Sequence, residues 1–469
     1  MPKTSSLMKF IRPFTRKGWK HWLVFVALLC GAGYAGHLLS SAAWLTPFRY
    51  KIYHWQLMMR DRSQLYPTRT ALVLLDDNDY WSDRFQSRAP LKRDQLAGLM
   101  DSLRQAGVNT VALDVFLLAP QPLNPKFELS DYTKEDAKLL ESIGLMCQAG
   151  RHVVLSSTVE FGDDGYKELP SIYTDHLKDL PCVSRGYIQL PFDLRRIPGS
   201  LPLANASPLD SPAPATVKSE DPAVFCKTTK GSPPSPTGDS LDSLSLAMVK
   251  IADPSAYCKA IEDTGHGFRF SEYLTEDDFG AKNGRKFIFS GQDLSAADGK
   301  QLSAAELGKL HEELADKLVI VGASWHTNAM GSGPLMDEHN SPGGQEPGAM
   351  LQANYVEAML DRTGTFTPIS DSAAEVLEVA LALALATIGV LEIHTAWKWA
   401  AFGIGILLSI LFTYTLLQNL GLFLDFLIPM LMIIVHSLAE EALKIWHEFR
   451  HLKHNAEHKH APESTGGPE

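Results

Sequence analysis

Four long apolar runs divide this 469-residue chain and limit what it can fold into. The first, Trp22 to Leu39, is eighteen residues long and carries no Asp, Glu, Lys or Arg. The others are Ala373 to Leu391, Trp399 to Leu417 and Leu420 to Leu438. Each can cross a bilayer as a helix with modest tilt. Between the first run and the second lies one large polar region, roughly residues 40 to 371. The expected architecture is therefore one extramembrane domain held by four transmembrane α-helices.

Charge gives the expected orientation. Lys3, Lys9, Arg12, Arg16, Lys17 and Lys20 precede the first run, and no acid occurs before Asp61. Basic flanks stay in the cytoplasm, so the N-terminus is expected inside. A cleaved signal peptide competes, because Ser40-Ser41-Ala42-Ala43 supplies small residues. The long basic region and the long apolar run favour an anchor. Lys398 marks the turn after the second run as cytoplasmic, and Gln418-Asn419 carries no basic residue. Both termini are then cytoplasmic. In a bacterium the polar region lies in the periplasm, and the protein is a multi-pass protein of the inner membrane.

That compartment is oxidising. Four of the five cysteines lie in the polar region: Cys147, Cys182, Cys226 and Cys258. Two disulfides are possible there. Sequence leaves three pairings open. Cys226 and Cys258 flank part of a Pro-rich stretch and form the natural first choice. The net charge of −11 argues against a nucleic-acid partner.

Within the polar region the pattern is β-α-β-α-β. Phe48 to Met59 reads as an amphipathic helix. Ala71 to Asp79 is a strand followed at once by acids. Leu91 to Ala106 is a helix capped by Gly107, and VNTVALDVFLL is a strand with Asp114 at its core. Ser130 to Ala149 is a helix, and His152 to Phe161 is a strand. Apolar strands without alternation belong to a parallel sheet covered on both faces, so the fold class is α/β with a mostly parallel sheet. Residues 198 to 239 are dense in Pro, Ser and Ala and read as an irregular insertion; a polyproline docking segment is the functional alternative. Leu241 to Ile251 reads as a helix and Lys286 to Ser290 as a short strand.

Lys317 to Leu360 joins this sheet to the membrane part. Leu318 to Val321 is a buried strand, ended by Gly322. A long Gly/Ser/Asn-rich loop with Asp337, Glu338, His339 and Asn340 follows. Ala349 to Leu360 is a helix. Ligands of open α/β sheets bind outside the carboxyl ends of the strands, where this loop belongs.

The order of motifs resembles the second-type CHASE sensor domain, an extracytoplasmic input module of bacterial cyclases and histidine kinases. The residues that carry the resemblance are Asp76-Asp77-Asn78, Trp81, Arg84 or Arg93, and Ala106-Gly107-Val108 through Asp114. Gly186-Tyr187-Ile188 with Asp193-Leu194-Arg195-Arg196 follows, then Lys317 to Ala323, Asp337 to Pro342 and Pro347 to Asn354. Three spans after the domain also fit. The resemblance implies a sensor. Members usually carry a cytoplasmic catalytic output after the last span, and no P-loop, kinase, cyclase or HExxH signature occurs here. No enzymatic activity is expected, and no cofactor is indicated.

The ligand-binding candidates are Asp76, Asp77, Asp114, Asp337 and His339. Each has a bland alternative. Asp76 and Asp77 can serve as helix caps or turn formers. Asp114 in an apolar strand needs a partner or a ligand. Asp337 and His339 have metal-ligand types but are two ligands only. Asp425 in the last run is either an ion path or an interhelical bond. In the tail, His447, His451, His454 and His458 share one helix face and could take a metal or respond to pH. A solvated helix is the alternative, with Trp446, Phe449 and Leu452 against a protein partner or lipid. The expected partners are the lipid bilayer, an unidentified periplasmic ligand and a signalling or membrane-complex protein, with a homodimer possible. A membrane sensor is the leading function; an assembly subunit of a membrane complex, or a periplasmic hydrolase using strand-end carboxylates, are the others.

Overall fold

The computed structural model describes residues 43–58, 66–117, 129–162, 165–169, 180–203, 240–264, 276–280, 286–295, 302–331, 333–360, 365–368 and 395–420, with isolated residues elsewhere. The chain divides into two units, Tyr53–Pro368 and a second made of Met1–Ile52 with Ile369–Glu469.

The elements that position the site begin with α1 (Thr46–Met58). Next come β1 (Thr70–Leu75), the short α2 (Asp77–Tyr80), α3 (Arg93–Gln105) and β2 (Thr110–Asp114). Then follow α4 (Leu129–Gln148), β3 (His152–Ser157), β4 (Val159–Gly162), β5 (Gly165–Glu168) and β6 (Val183–Tyr187). The insertion opens with β7 (Ser200–Pro202) and closes with β8 (Ser240–Asp242). The remainder comprises α5 (Leu244–Ala252), α6 (Pro254–Thr264), β9 (Ile288–Ser290), α7 (Ala304–Leu314) and β10 (Leu318–Ala323). It ends with β11 (Glu338–Ser341), β12 (Gly344–Pro347) and α8 (Gly348–Leu360).

The main sheet has six strands in the order β9-β1-β10-β2-β3-β6, and every pair is parallel. Its register aligns Val73 with Val321, Val321 with Leu113, and Leu113 with Leu155. These alternate positions face α3, α4 and α7 and form one core with Leu96, Met100, Leu139, Ile143 and Leu310. The opposite positions face α5 and α8. Both faces are therefore covered, which explains strands that are apolar at every position rather than at every second one. The expected α/β sheet is borne out.

Local chemistry sets the ends. Helix α3 stops because Gly107 takes a left-handed φ of 83°. The N–H of Val108 then reaches Leu103 O at 3.0 Å, and that of Gly107 reaches Arg104 O at 3.1 Å. Only glycine adopts this conformation at little steric cost. Gly322 has a different reason. A methyl there would collide with Ala349 Cβ, so its absence lets α8 press onto β10.

Two sequence expectations need correction. Asp114 is the last residue of β2, not its core, since pairing ends at Gly322–Asp114. The loop after β10 is not wholly irregular: β11 and β12 form an antiparallel hairpin that pairs His339 with Glu346. Its strands are polar on both faces, so no alternation betrays them. Of the insertion, only its paired ends β7 and β8 and isolated residues, Cys226 among them, are described. Two disulfides are present, Cys147–Cys182 and the favoured pair Cys226–Cys258, with Cα separations of 5.5 and 5.4 Å; of the three pairings left open, this is the one formed.

The second unit contains α9 (Thr395–Leu420), 26 residues long, over the expected run from Trp399 to Leu417. Ile404, Leu407, Leu408 and Leu411 are exposed along it, while several of its other side chains are not described. Among the described residues no helix is long and apolar enough to cross a membrane. The run Trp22 to Leu39, nearly all of Ala373 to Leu391 and of Leu420 to Leu438, and Asp425 lie outside the described residues.

Candidate functional site

Three adjacent strands, β1, β10 and β2, end side by side on the carboxyl edge of the sheet. Each delivers polar residues there for a local reason. After β1 the chain turns straight into α2. Asp76 is its N-cap, and its Oδ1 accepts the Asp79 N–H at 3.1 Å. Of the two readings of Asp76, the structure shows the capping one. Asp77, the first residue of α2, faces the loop that follows β10. It accepts the His326 N–H at 2.7 Å, and its Oδ2 lies 2.6 Å from His326 Nδ1. Burial pulls the Asp77 carboxyl up, but these bonds and the nearby imidazole win and hold it below the usual range. Tyr80 and Trp325 stack at 4.4 Å and 6° beside this pair. The loops after β1 and β10 are thus fastened to each other twice.

Asp79 fastens β1 to the edge strand β9. It is fully buried and accepts the Gly291 N–H at 2.8 Å. Arg84 donates to Gly291 O at 2.8 Å and stands 3.6 Å from Asp79 Oδ1, which has no hydrogen bond. Burial raises the Asp79 carboxyl to about 6, more than Gly291 and Arg84 lower it.

Asp114 is different in kind. It ends β2, is 8% exposed, and among the described residues no donor reaches its carboxylate. Burial, and then the negative charge of Asp337, push its carboxyl well above the usual range. Asp337 comes to the same place from the loop. Its carbonyl accepts the Gly348 N–H at 3.0 Å, and its carboxylate covers Gly348 so closely that a methyl there would collide with it. The head of α8 therefore holds both acids: Gly348 lies under Asp337, and Ala349 lies against Gly322, the β10 neighbour of Asp114. His339 Nε2 stands 3.0 Å from Asp337 Oδ1.

The structure thus divides the candidates. Asp114, Asp337 and His339 gather around the start of α8. Asp77 sits with His326 at the ends of β1 and β10. Asp76 is a cap. Among the described residues no group of three or more His, Cys, Asp or Glu is placed to hold a metal ion. His447, His451, His454, His458 and Leu452 lie outside the described residues; Trp446 and Phe449 are exposed.

Sequence reasoning missed several residues that shape this edge. His326 looked like one polar residue in a loop. Glu357 was not singled out; it lies on α8, which is buried almost end to end. Its carboxylate accepts from the N–H groups of Arg69 and Thr70 at 2.8 and 2.6 Å, and from the Thr70 hydroxyl at 2.7 Å. Asn354 clasps Leu274 from both sides, accepting its N–H at 2.6 Å and donating to its O at 3.0 Å. Tyr355 donates to Leu194 O at 2.7 Å. The signal available was the run Gln352, Asn354 and Glu357 inside an otherwise apolar helix. Arg93, by contrast, is one of the two arginines picked out in the sequence; it donates to Phe116 O at 2.9 Å and stands 3.8 Å from Asp136, inside a buried network with Arg88, Glu135 and Tyr173. It braces the turn after β2 from beneath.

A family model described as CHASE2 domain matches residues 23–391. No curated protein and no solved structure matches the chain.

Proposed function

Because this chain belongs to the CHASE2 domain family of extracellular sensory domains, we propose that it is a multi-pass membrane sensor that reads a periplasmic signal and relays it to a separate protein partner. The observation that carries the reading is Asp114. A carboxyl this buried, with a second acid beside it, costs free energy unless something occupies the place between them. It sits at the carboxyl edge, where ligands of parallel sheets bind. A ligand that offers Asp114 a donor or a positive charge, between it and Asp337, regains that cost.

The edge is also placed to transmit. Asp337 and Asp114 bear on the first turn of α8, and Glu357 near its other end holds the entry of β1. A ligand that favours one seating of α8 shifts the population of that seating. Along the chain, α8 leads through Pro368 to the apolar run Ala373 to Leu391, and α1 follows the run Trp22 to Leu39. The basic N-terminus and Lys398 support cytoplasmic termini. The exposed apolar side chains of α9 support a lipid-facing helix. On the inner side the readout is the tail, where Trp446 and Phe449 are exposed, and a homodimer would let two tails move together.

The test uses the full chain in its own membranes, with partners recovered by cross-linking and identified by mass. Deleting residues 444–469 is expected to abolish partner recovery while both disulfides persist. Asp337→Ala is expected to keep the partner and lose the response. A tail deletion that leaves recovery and signalling intact would overturn the relay.

A further inference from the structure

Helix α1 carries one exposed stripe. Phe48, Lys51, Trp55 and Met58 are spaced 3, 4 and 3 residues apart, and Trp44 precedes the helix in a short 3-10 turn, Ala43–Leu45. Its three apolar members are 57% (Phe48), 48% (Trp55) and 50% (Met58) exposed, and Trp44 before them 62%. Positions at such spacing share one helix face, here about 15 Å long from Phe48 to Met58. Tyr50, Tyr53 and Leu57 are 5%, 0% and 1% exposed, so the helix already buries its other face. The large side chains have been left outward.

From this stripe we infer that α1 lies flat in the headgroup layer of the outer membrane leaflet next to the first span. The inference rests on the membrane anchor proposed above. Three observations select lipid as the occupant. First, the apolar run ends at Leu39, so only four residues separate it from Trp44, and a short tether holds the stripe at the bilayer surface. Second, Trp55 in the stripe and Trp44 just before the helix are tryptophans, which prefer the interface because the ring is apolar and its N–H is polar. Third, Lys51 sits in the stripe and no Asp or Glu occurs before Asp61, so the face meets lipid phosphates without repulsion. A bilayer surface satisfies apolar, aromatic and cationic members at once. A purely apolar protein groove would leave Lys51 unpaired.

The test places nitroxide labels on the full chain. Cys30→Ser removes the one cysteine outside the disulfides, and single cysteines then replace Phe48, Trp55 and, as a water-facing reference, Phe192, which is 76% exposed. Lys51→Cys supplies a further stripe position should either aromatic substitution prevent folding. The protein is reconstituted in vesicles of phosphatidylethanolamine and phosphatidylglycerol. Collision with oxygen and with a water-soluble nickel chelate is then read by power saturation. At Phe48, Lys51 and Trp55 oxygen access is expected to exceed chelate access several-fold, with the reverse at Phe192. Chelate access equal to that at Phe192 would place the stripe in water and overturn the inference. Exclusion of both reagents would mean a protein cover, such as a second copy, and would also overturn it. Flotation of the vesicles separates the two readings. A chain that does not float removes the anchor, whereas a chain that floats with a wet stripe removes only the interfacial helix.

Discussion

At the scale of single residues, Asp79 and Glu357 show how a carboxylate can be structural and still carry a measurable signature. Asp79 holds β9 to β1 through Gly291, and burial sets its carboxyl at about 6 against an ordinary 3.8. A folded-state value above the free one means that the folded protein holds the proton more tightly. The stabilisation is full below about 3.8 and is lost as the pH rises through about 6. Asp79→Asn cannot ionise. The melting temperature of the variant minus that of the parent is therefore expected to grow as the pH rises from 4 to 7. A difference that stays flat would refute the assignment. Glu357 acts on the backbone instead, because three successive residues of the chain donate N–H bonds to it. Glu357→Gln places an amide donor against some of these donors. A loss of about 1–3 kcal/mol is expected. It is read as a lower urea midpoint with an unchanged slope.

At the scale of elements, α4 and β6 show what the first disulfide does. Cys147 is in the last turn of α4 and Cys182 immediately precedes β6, so the bridge fixes the edge strand of the sheet. It closes a loop of 35 residues, for which chain-entropy arguments give about 4 kcal/mol. Cys147→Ser with Cys182→Ser is expected to lower the unfolding midpoint accordingly in the full chain. An unchanged midpoint would mean that the helix and strand hold the edge without it. The elements also show what was legible beforehand. Strands β1, β2, β3 and β10 were readable because burial on both faces forces continuous apolar runs. Helices α3 and α4 were readable because apolar positions recur at helical spacing and a glycine closes each. The hairpin β11–β12 was not, because its strands bury neither face fully and its residues look like loop. Asp114, Asp337 and His339 could be picked out by residue type and position. That Asp114 lacks a donor while Asp77 has His326 is a matter of three-dimensional contact, and no spacing along the chain encodes it.

At the scale of the whole molecule, the six-stranded sheet is the centre of the described part of the unit Tyr53–Pro368, and the candidate site lies where its central strands stop. The position of β10 in that order has a temporal meaning. It lies between β1 and β2, yet it comes after β6 in the chain, and Val321 pairs with Val73 across 248 residues. A chain emerging residue by residue presents β1 and β2 long before the strand that joins them. Until residue 323 arrives, the sheet lacks its middle, and the unpaired edges of β1 and β2 face each other across a gap one strand wide. Pairings this distant in sequence are slow to close, because a long loop must be ordered before any contact rewards it. A chain that appears progressively therefore carries an unfinished sheet until β10 arrives. Its vulnerability to proteases and to sticking peaks before the arrival of β10. The last strand of the main sheet to appear is the keystone, and the head of α8, where Asp114 and Asp337 meet, cannot exist before it.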